Sequence, residues 1–389
     1  MLQLLDIPPE CILDIADQLR KDSDVGSFAL TNKYLYSILN RYLYRRAVRF
    51  PTRTRRGRLY YSIHTRNLNA VQHWIDAGVD LNARAVEPGS FTPLVQAVEA
   101  RTGWLLPKHV CAAPEKYGNQ YVRMAIKAVE DLRAICELLL ANGAKVDRRS
   151  VHGWTAVHRA IVGCDDEMVK LLVAAGANVR LATYERSTPL HLAASQRDNR
   201  DTVEFLLDRG ACRDLHSRTP SGDTPLHIAA YHGNIPAVGL LLDRRAEIDA
   251  LDNLGWTPLH RLVEHYRVWV KSDDRDAYWR VMRLLLERGA DASTLDNYGM
   301  TPLGRALTYH HPVRMVHLLL MYGARVSVTI PNGQKLSFSW KHQPSRVLPA
   351  VQRGMRGLKK LVTPDGLFRR IKDVEFQTMP PKLARLLVD

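Results

Sequence analysis

The sequence predicts an all-α fold: a solenoid of stacked helix-turn-helix units with β-hairpin tips, preceded by a small three-helix module. Two in-phase signals carry the prediction. A Thr-(Pro/Ala)-(Leu/Val)-(His/Gly) tetrad recurs at Thr155, Thr188, Thr224, Thr257 and Thr301. A second marker runs in step, a Gly-Ala pair at Gly143, Gly176, Gly210, Gly289 and Gly323, with Arg245-Ala246 holding the same place once. Self-similarity of this kind marks a repeat array in which each unit buries its apolar face only against its neighbours.

Each motif residue has a local task. Thr at an N-cap accepts a bond from an orphan amide, and Pro at the first helical position sacrifices no donor. Leu190, Leu226 and Leu259 point at neighbouring helices, and Ala193, Ala194, Ala229 and Ala230 let those helices approach closely. Val203, Leu206 and Leu207 give the second helix an apolar stripe at helical spacing. Gly210 then supplies a residue able to take positive φ after that helix.

The tetrad and its period resemble the ankyrin repeat, a unit of about 33 residues built from a β-turn and two antiparallel helices. Seven units are expected near 57–86, 87–151, 152–185, 186–219, 220–253, 254–297 and 298–333. The first has no tetrad and rests on Val71, Trp74, Ile75 and Gly78. Spacing implies insertions near 101–130 and 266–277, each between the two helices of its unit. Such insertions read as tolerated surface loops, since loop entropy grows slowly with length, or as appendages, the first holding Trp104, Leu105, Leu106 and Tyr117. The resemblance gives His158, His191, His227 and His260 a hydrogen-bonding role beside the capping Thr.

Residues 1–46 do not fit the repeat. Pro9 and Glu10 open a helix with Ile12, Ile15, Ala16 and Leu19 at helical spacing, a second short helix follows Asp24, and a third runs from Tyr34 to Tyr44. The segment Leu4-Leu5 to Leu19, the pair Asp24-Val25 and the run Thr31 to Tyr36 together resemble the F-box. That module docks on the Skp-family linker of cullin–RING ubiquitin ligases. Tyr36 stands where the family commonly has tryptophan. The resemblance implies that Ile7, Pro8, Ile12, Leu13, Ile15 and Leu19 form the linker-binding surface. The plainer reading is a polar-faced cap for the array.

The net charge of +15 is unevenly spread. Residues 41–66 carry nine arginines and no Asp or Glu, and residues 334–389 carry twelve Lys/Arg against four Asp/Glu. The array itself is near neutral, which argues against nucleic acid as its partner. Residues 47–56 read as a basic junction, with an import signal or phosphate strip as the alternative. Residues 334–389 read as a basic tail whose stripe Leu348, Val351, Met355, Leu358 and Val362 covers the last repeat. Its Gly354 and Gly357 would each cost an isolated membrane-surface helix about 1 kcal/mol.

Catalytic chemistry is not expected. No HExxH, GxSxG, Walker A or GxGxxG run occurs, and Cys164-Asp165-Asp166-Glu167 is a loop with no base assigned to its thiol. Five scattered cysteines, Cys11, Cys111, Cys136, Cys164 and Cys212, fit reduced thiols inside the cell, in cytoplasm or nucleus. The first 15 residues lack a basic lead and are interrupted by Asp6, Pro8, Pro9 and Glu10, so no signal peptide is expected. No run of about 18 apolar residues suggests a membrane span. Neither metal nor cofactor is expected, because tetrad histidines one repeat apart sit about 8–10 Å from each other, too far to share an ion.

The expected function is a non-catalytic adaptor, the client-selecting subunit of an SCF-type ubiquitin ligase. The alternative is an ankyrin scaffold or inhibitor with no ubiquitin role. Client contacts are expected on the concave side, where unit-to-unit variation concentrates: Phe91, Trp154, Trp256 and Met300 before the capping Thr, and Gln196, Tyr231, His232, His265 and Tyr309 after the first helix. Packing of Trp154 and Trp256 on neighbouring turns is the competing reading.

Overall fold

A computed structural model describes residues 9–18, 35, 39, 42–45, 53–84, 91–105, 119–197, 199–268, 275–308, 313–329 and 335–339. The chain divides into two compact units, Met1–Tyr184 and Glu185–Asp389.

The first unit opens with α1 (Pro9–Gln18). Its Ile12 and Ala16 pack with the helical residues Leu35 and Leu39 into a small core that Leu13, Tyr42 and Leu43 border. The expected second helix of this module lies outside the described residues. Three helix pairs follow: α2 (Arg53–His64) with α3 (Leu68–Asp76), α4 (Pro93–Thr102) with α5 (Asn119–Ala141), and α6 (Ala156–Val162) with α7 (Asp166–Ala174). Tyr44 meets Trp74 edge-on at 4.5 Å, which joins the N-terminal module to the first pair. That pair lacks the tetrad, yet it turns like the others, with Val71 and Trp74 buried and Gly78 at φ +83°.

The second unit holds four pairs: α8 (Pro189–Ser195) with α9 (Arg200–Asp208), α10 (Pro225–His232) with α11 (Ile235–Asp243), α12 (Pro258–Val268) with α13 (Arg275–Glu287), and α14 (Pro302–Thr308) with α15 (Val313–Met321). First helices stack on first helices and second on second, and the small residues Ala193, Ala194, Ala229 and Ala230 are fully buried at the seam. After α15 the chain forms an antiparallel ribbon, β1 (Arg325–Thr329) and β2 (Lys335–Ser339), with Ser327 opposite Ser337. The ribbon's second strand falls in the segment expected as tail, and it is the one hairpin among the described residues extended enough to form strands.

The capping role of the tetrad is observed. Thr188 N–H donates to His191 Nδ1 at 3.3 Å, the hydroxyl lies 2.8 Å from the same nitrogen, and Thr224–His227 and Thr257–His260 repeat the pattern. With Nδ1 accepting, the ring proton sits on Nε2 and donates forward to the next turn. His191 reaches the Asp223 carbonyl at 3.2 Å, His227 that of Trp256 at 2.9 Å and His260 that of Met300 at 3.2 Å. Each acceptor directly precedes the next capping Thr, so each of these three imidazoles closes its own helix and fastens the following repeat. In the last tetrad Gly304 brings no imidazole, and its N–H donates to the Thr301 hydroxyl at 3.1 Å.

Glycine follows the second helix at positive φ, as at Gly210 (φ +101°). Arg245 adopts φ +67° at the same place, a conformation that costs a side-chain-bearing residue about 1 kcal/mol.

The insertion at 101–130 departs from expectation at both ends. Arg101 and Thr102 belong to α4, and α5 begins at Asn119, so residues 119–130 lengthen the second helix rather than form a loop. Val122, Ala125 and Ala128 are buried on that extension. Arg101 is 2% exposed and pairs at 2.6 Å with Asp165, itself the N-cap of α7 through a bond from Met168 N–H at 3.1 Å. Thr102 packs so closely on Gly163 that a Cβ there would lie 2.1 Å from its methyl. The start and the end of the insertion are thus part of the packed unit. Leu106 and Tyr117 lie outside the described residues.

Two outcomes are expected. Removing residues 101–130 strips Arg101 from Asp165 and removes a buried helical face, so the deletion should abolish cooperative unfolding of the first unit. Arg101→Leu alone should lower stability by about 3 kcal/mol or more in urea unfolding, because it strands a buried carboxylate. The second outcome concerns pH. Burial lowers the His158, His191 and His260 pKa values to about 4, and lowers that of His227 as well. The unfolded chain binds these protons near pH 6.5, whereas the folded chain takes them up only at lower pH, near 4 for His158, His191 and His260. Their stabilisation should therefore be complete above pH 6.5, fall as pH drops toward 4, and change no further below that. Thermal melts from pH 7.5 to 5 should show the decline, and a flat profile across that range would contradict neutral bridging imidazoles.

Candidate protein-binding face

The residues expected at the client face fall into three clusters, which the tetrad helices position. In the first unit, Arg159 follows His158 on α6. Its guanidinium lies between the Phe91 and Trp154 rings, 4.7 and 4.6 Å from their centroids, and its Nε is 3.2 Å from Glu99. Phe91 and Trp154 are half-buried. The Phe91 carbonyl is anchored by the Tyr60 hydroxyl at 2.8 Å.

In the second unit the order inverts, and an indole sits between two guanidiniums. Trp256 is 8% exposed, with Arg261 at 4.9 Å and Arg305 at 4.3 Å from its ring. Arg261 bridges Asp223 and Asp252, each at 2.7 Å. Arg305 pairs with Asp296 at 2.6 Å and with Glu264 at 3.7 Å. Asp252 and Asp296 also build the hairpin tips: Asp252 Oδ1 accepts from Leu254 and Trp256 N–H, and Asp296 Oδ1 from Tyr298 and Met300 N–H, all at 2.7–2.9 Å. Met300 is half-buried beside them.

The third cluster lies at the opposite end of the first helices. Tyr231 meets His265 edge-on at 4.1 Å, His232 lies 6.2 Å from His265, and Tyr278 stacks on His265 at 5.3 Å. Arg197 donates to the Tyr278 hydroxyl at 2.7 Å and to the His232 carbonyl at 2.6 Å. Burial, reinforced by the charges of His232 and Arg197, lowers His265 to about 4, so the imidazole is neutral at physiological pH. Gln196 is half-buried and bonds Ser195 at 3.2 Å. Tyr309 lies outside the described residues.

The geometry therefore gathers Tyr231, His232 and His265, and places Trp256 inward as a packing residue. The sequence reading missed Arg159, Arg261, Arg305, Asp252, Asp296, Arg197 and Tyr278. Two signals in the chain mark most of them: an Arg directly after the tetrad at 159, 261 and 305, and an Asp-Asn-x-Gly run at 252–255 and 296–299. Of the expected linker contacts, Ile12 is 1% exposed inside the module's own core, Leu13 borders that core, and Ile15 is 46% exposed. Ile12 is therefore held inside the module's own core. Ile7, Pro8 and Leu19 lie outside the described residues.

Among the described residues no group of three or more His, Cys, Asp or Glu is placed to hold a metal, and no helix is long and apolar enough to cross a membrane. Burial pushes the Cys136 thiol up to about 12, which leaves it a core residue without nucleophilic character.

The burial difference separates the two tryptophans. Trp256→Ala should destabilise the second unit by about 3 kcal/mol or more, because it empties the space between two guanidiniums. Trp154→Ala, starting from a half-buried ring, should cost about 1 kcal/mol. Equal melting losses for both would contradict this assignment.

Comparison with known sequences agrees with this geometry. Ankyrin-repeat family models match residues 122–216, 206–262 and 278–320. The chain is 36% identical over 134 residues to the B-cell lymphoma 3 protein homolog of Mus musculus, covering 34% of this chain and 30% of that protein. It is 29% identical over 152 residues to the E3 ubiquitin-protein ligase KEG of Arabidopsis thaliana, covering 37% of this chain and 9% of the relative. It is 29% identical over 167 residues to the human ankyrin repeat and SOCS box protein 16, covering 43% and 36% respectively. The chain thus spans about a third or less of the length of these relatives. The tetrads, their capping histidines and these matches agree that the chain carries ankyrin repeats.

Proposed function

We propose that this protein is a non-catalytic adaptor that selects clients for an SCF-type cullin–RING ubiquitin ligase. Ankyrin repeats are protein-binding units, and residues 57–333 would present the client face while residues 1–46 dock the Skp-family linker. The observation that carries the reading is the N-terminal core of Ile12, Ala16, Leu35 and Leu39. It gives residues 1–46 a fold centre of their own, distinct from any repeat, and leaves Ile15 outside it on the surface. The match to a relative named an E3 ubiquitin-protein ligase is in keeping with this reading. Ubiquitin transfer would then follow from proximity, with no chemistry asked of this chain.

The alternative, an ankyrin scaffold or inhibitor with no ubiquitin role, is favoured by the Tyr44–Trp74 contact. That contact covers the end of the first helix pair as a terminal cap would.

Ile15→Asp separates the two. The side chain is outside the module core, so the variant should melt like the wild type yet lose co-purification with the linker. Binding through a few apolar anchors is sensitive to a charge placed among them. Absence of the linker from wild-type preparations, or unchanged recovery with the variant, would leave the capping role standing. An Ile12→Asp change tests folding of the module instead, since that side chain is buried.

A further inference from the structure

At 23 residues, α5 is the longest helix among the described residues, against 9 for α3 and for α7. One side of it lines two hollows. The first, of about 400 Å³, is lined by Leu68 and Gln72 of α3 and by Ala134, Leu138 and Ala141 of α5. The second, of about 210 Å³, is lined by Thr65 and Arg66 from the turn between α2 and α3 and by Met124, Lys127 and Asp131 of α5. Along α5 these lining positions are 124, 127, 131, 134, 138 and 141, an alternation of three and four residues. That is the spacing with which one helix presents a continuous seam to another. At a helical rise of 1.5 Å per residue the seam runs about 25 Å.

The seam is open to solvent, with Met124 47% and Leu68 40% exposed. Its charges are ordered along the helix: Arg123 and Lys127 come first, and Glu130 and Asp131 follow. Among the described residues none of these four side chains has an ion-pair or hydrogen-bond partner. Arg123 and Lys127 stand four residues apart, a like-charge spacing that weakens an isolated helix. The next two charges of α5 are satisfied within the chain, since Arg133 pairs with Glu137 at 3.0 Å and with Glu167 at 3.5 Å. Arg66 lies over the Trp104 ring at 4.9 Å and adds a third cation to the wall of the second hollow.

We propose that two copies of this protein associate through α5, packed antiparallel about a twofold axis at position 129. This axis sets Lys127 of each copy opposite Asp131 of the other, and Met124 opposite Ala134, so the exposed thioether enters the hollow beside a small residue. The basic turn at 123–127 then meets the acidic turn at 130–131, and Arg66 stands on the wall against which that acidic turn lies. Charge complementarity selects both the occupant and its direction. A parallel pair would set Lys127 on Lys127 and Asp131 on Asp131. Ionic residues inside a helical seam fix register at some cost in stability, and the twofold makes every contact twice. This pairing uses neither residues 1–46 nor the three clusters of the candidate face, so it holds or fails separately from the ligase reading.

Sedimentation of the full chain across a concentration series reads the association. The wild type should be dimeric at micromolar concentration and should dissociate as salt rises. Lys127→Asp and Asp131→Lys, each folded by circular dichroism, should each weaken self-association at least tenfold, because each sets like charges against one another. Mixing the two variants should restore association, since each chain then supplies the charge that the other lacks. The double variant Lys127→Asp with Asp131→Lys should restore it within one chain. Met124→Asp should weaken it as strongly as either single charge reversal. A wild type that stays monomeric at every concentration, or a dimer indifferent to both single reversals, would overturn the proposal. So would single reversals that dissociate the dimer and are rescued neither by mixing nor by the double exchange, because the loss would then lie outside the charge pairing.

Discussion

The imidazole of the tetrad is the connection on which the array depends. Its Nδ1 accepts the N–H of the capping Thr, and its Nε2 donates to the carbonyl just before the next cap. One side chain therefore ends the frustration of a helix start and sets the spacing to the following repeat. The bridge works only while the ring is neutral, since a protonated Nδ1 cannot accept. Burial secures that condition by lowering their pKa values, to about 4 at His191 and His260. Polar groups at a repeat seam are costly when unmatched and directional when matched, so the same seam that threatens stability also fixes register.

The hairpin tips extend this logic outward. Asp252 and Asp296 organise their own turns and, with the same carboxylates, receive an arginine from the helix that follows. Trp256 is held in turn by those arginines. Turn, ion pair and aromatic ring form one block, and the exposed Leu251, Leu254 and Tyr298 ride on it. A face built in this way is rigid by construction, as expected of a surface that recognises partners without reorganising.

The insertion in the first unit shows where spacing arguments fail. The interval from Thr92 to Gly143 measures how many residues are extra, yet it carries no information on which of them pack. Arg101 belongs to the first helix because its guanidinium meets the Asp165 carboxylate at the start of α7, a contact 64 positions away. Val122, Ala125 and Ala128 recur at three-residue spacing, a helical signal that was present in the chain and was masked by the assumption of a loop. The fully buried Arg101 had no such signal, because an arginine on an amphipathic helix is ordinarily solvated.

By itself the sequence determined the repeat type, the helix starts, the places of the capping Thr and His, and the left-handed turn after each second helix. All of these are local: a hydroxyl reaching an amide three residues on, or a backbone conformation open to glycine. Only the tertiary structure decided which aromatic residues are interior. Trp154 and Trp256 occupy the same motif position and differ in burial because one stacks a single arginine and the other is enclosed by two. Nor did spacing show that Ile12 faces Leu35 and Leu39 while Ile15 faces out, since both lie on the apolar stripe of one helix. Residues from separate segments meet through packing that no local pattern encodes, and that is where the binding face acquires its chemistry.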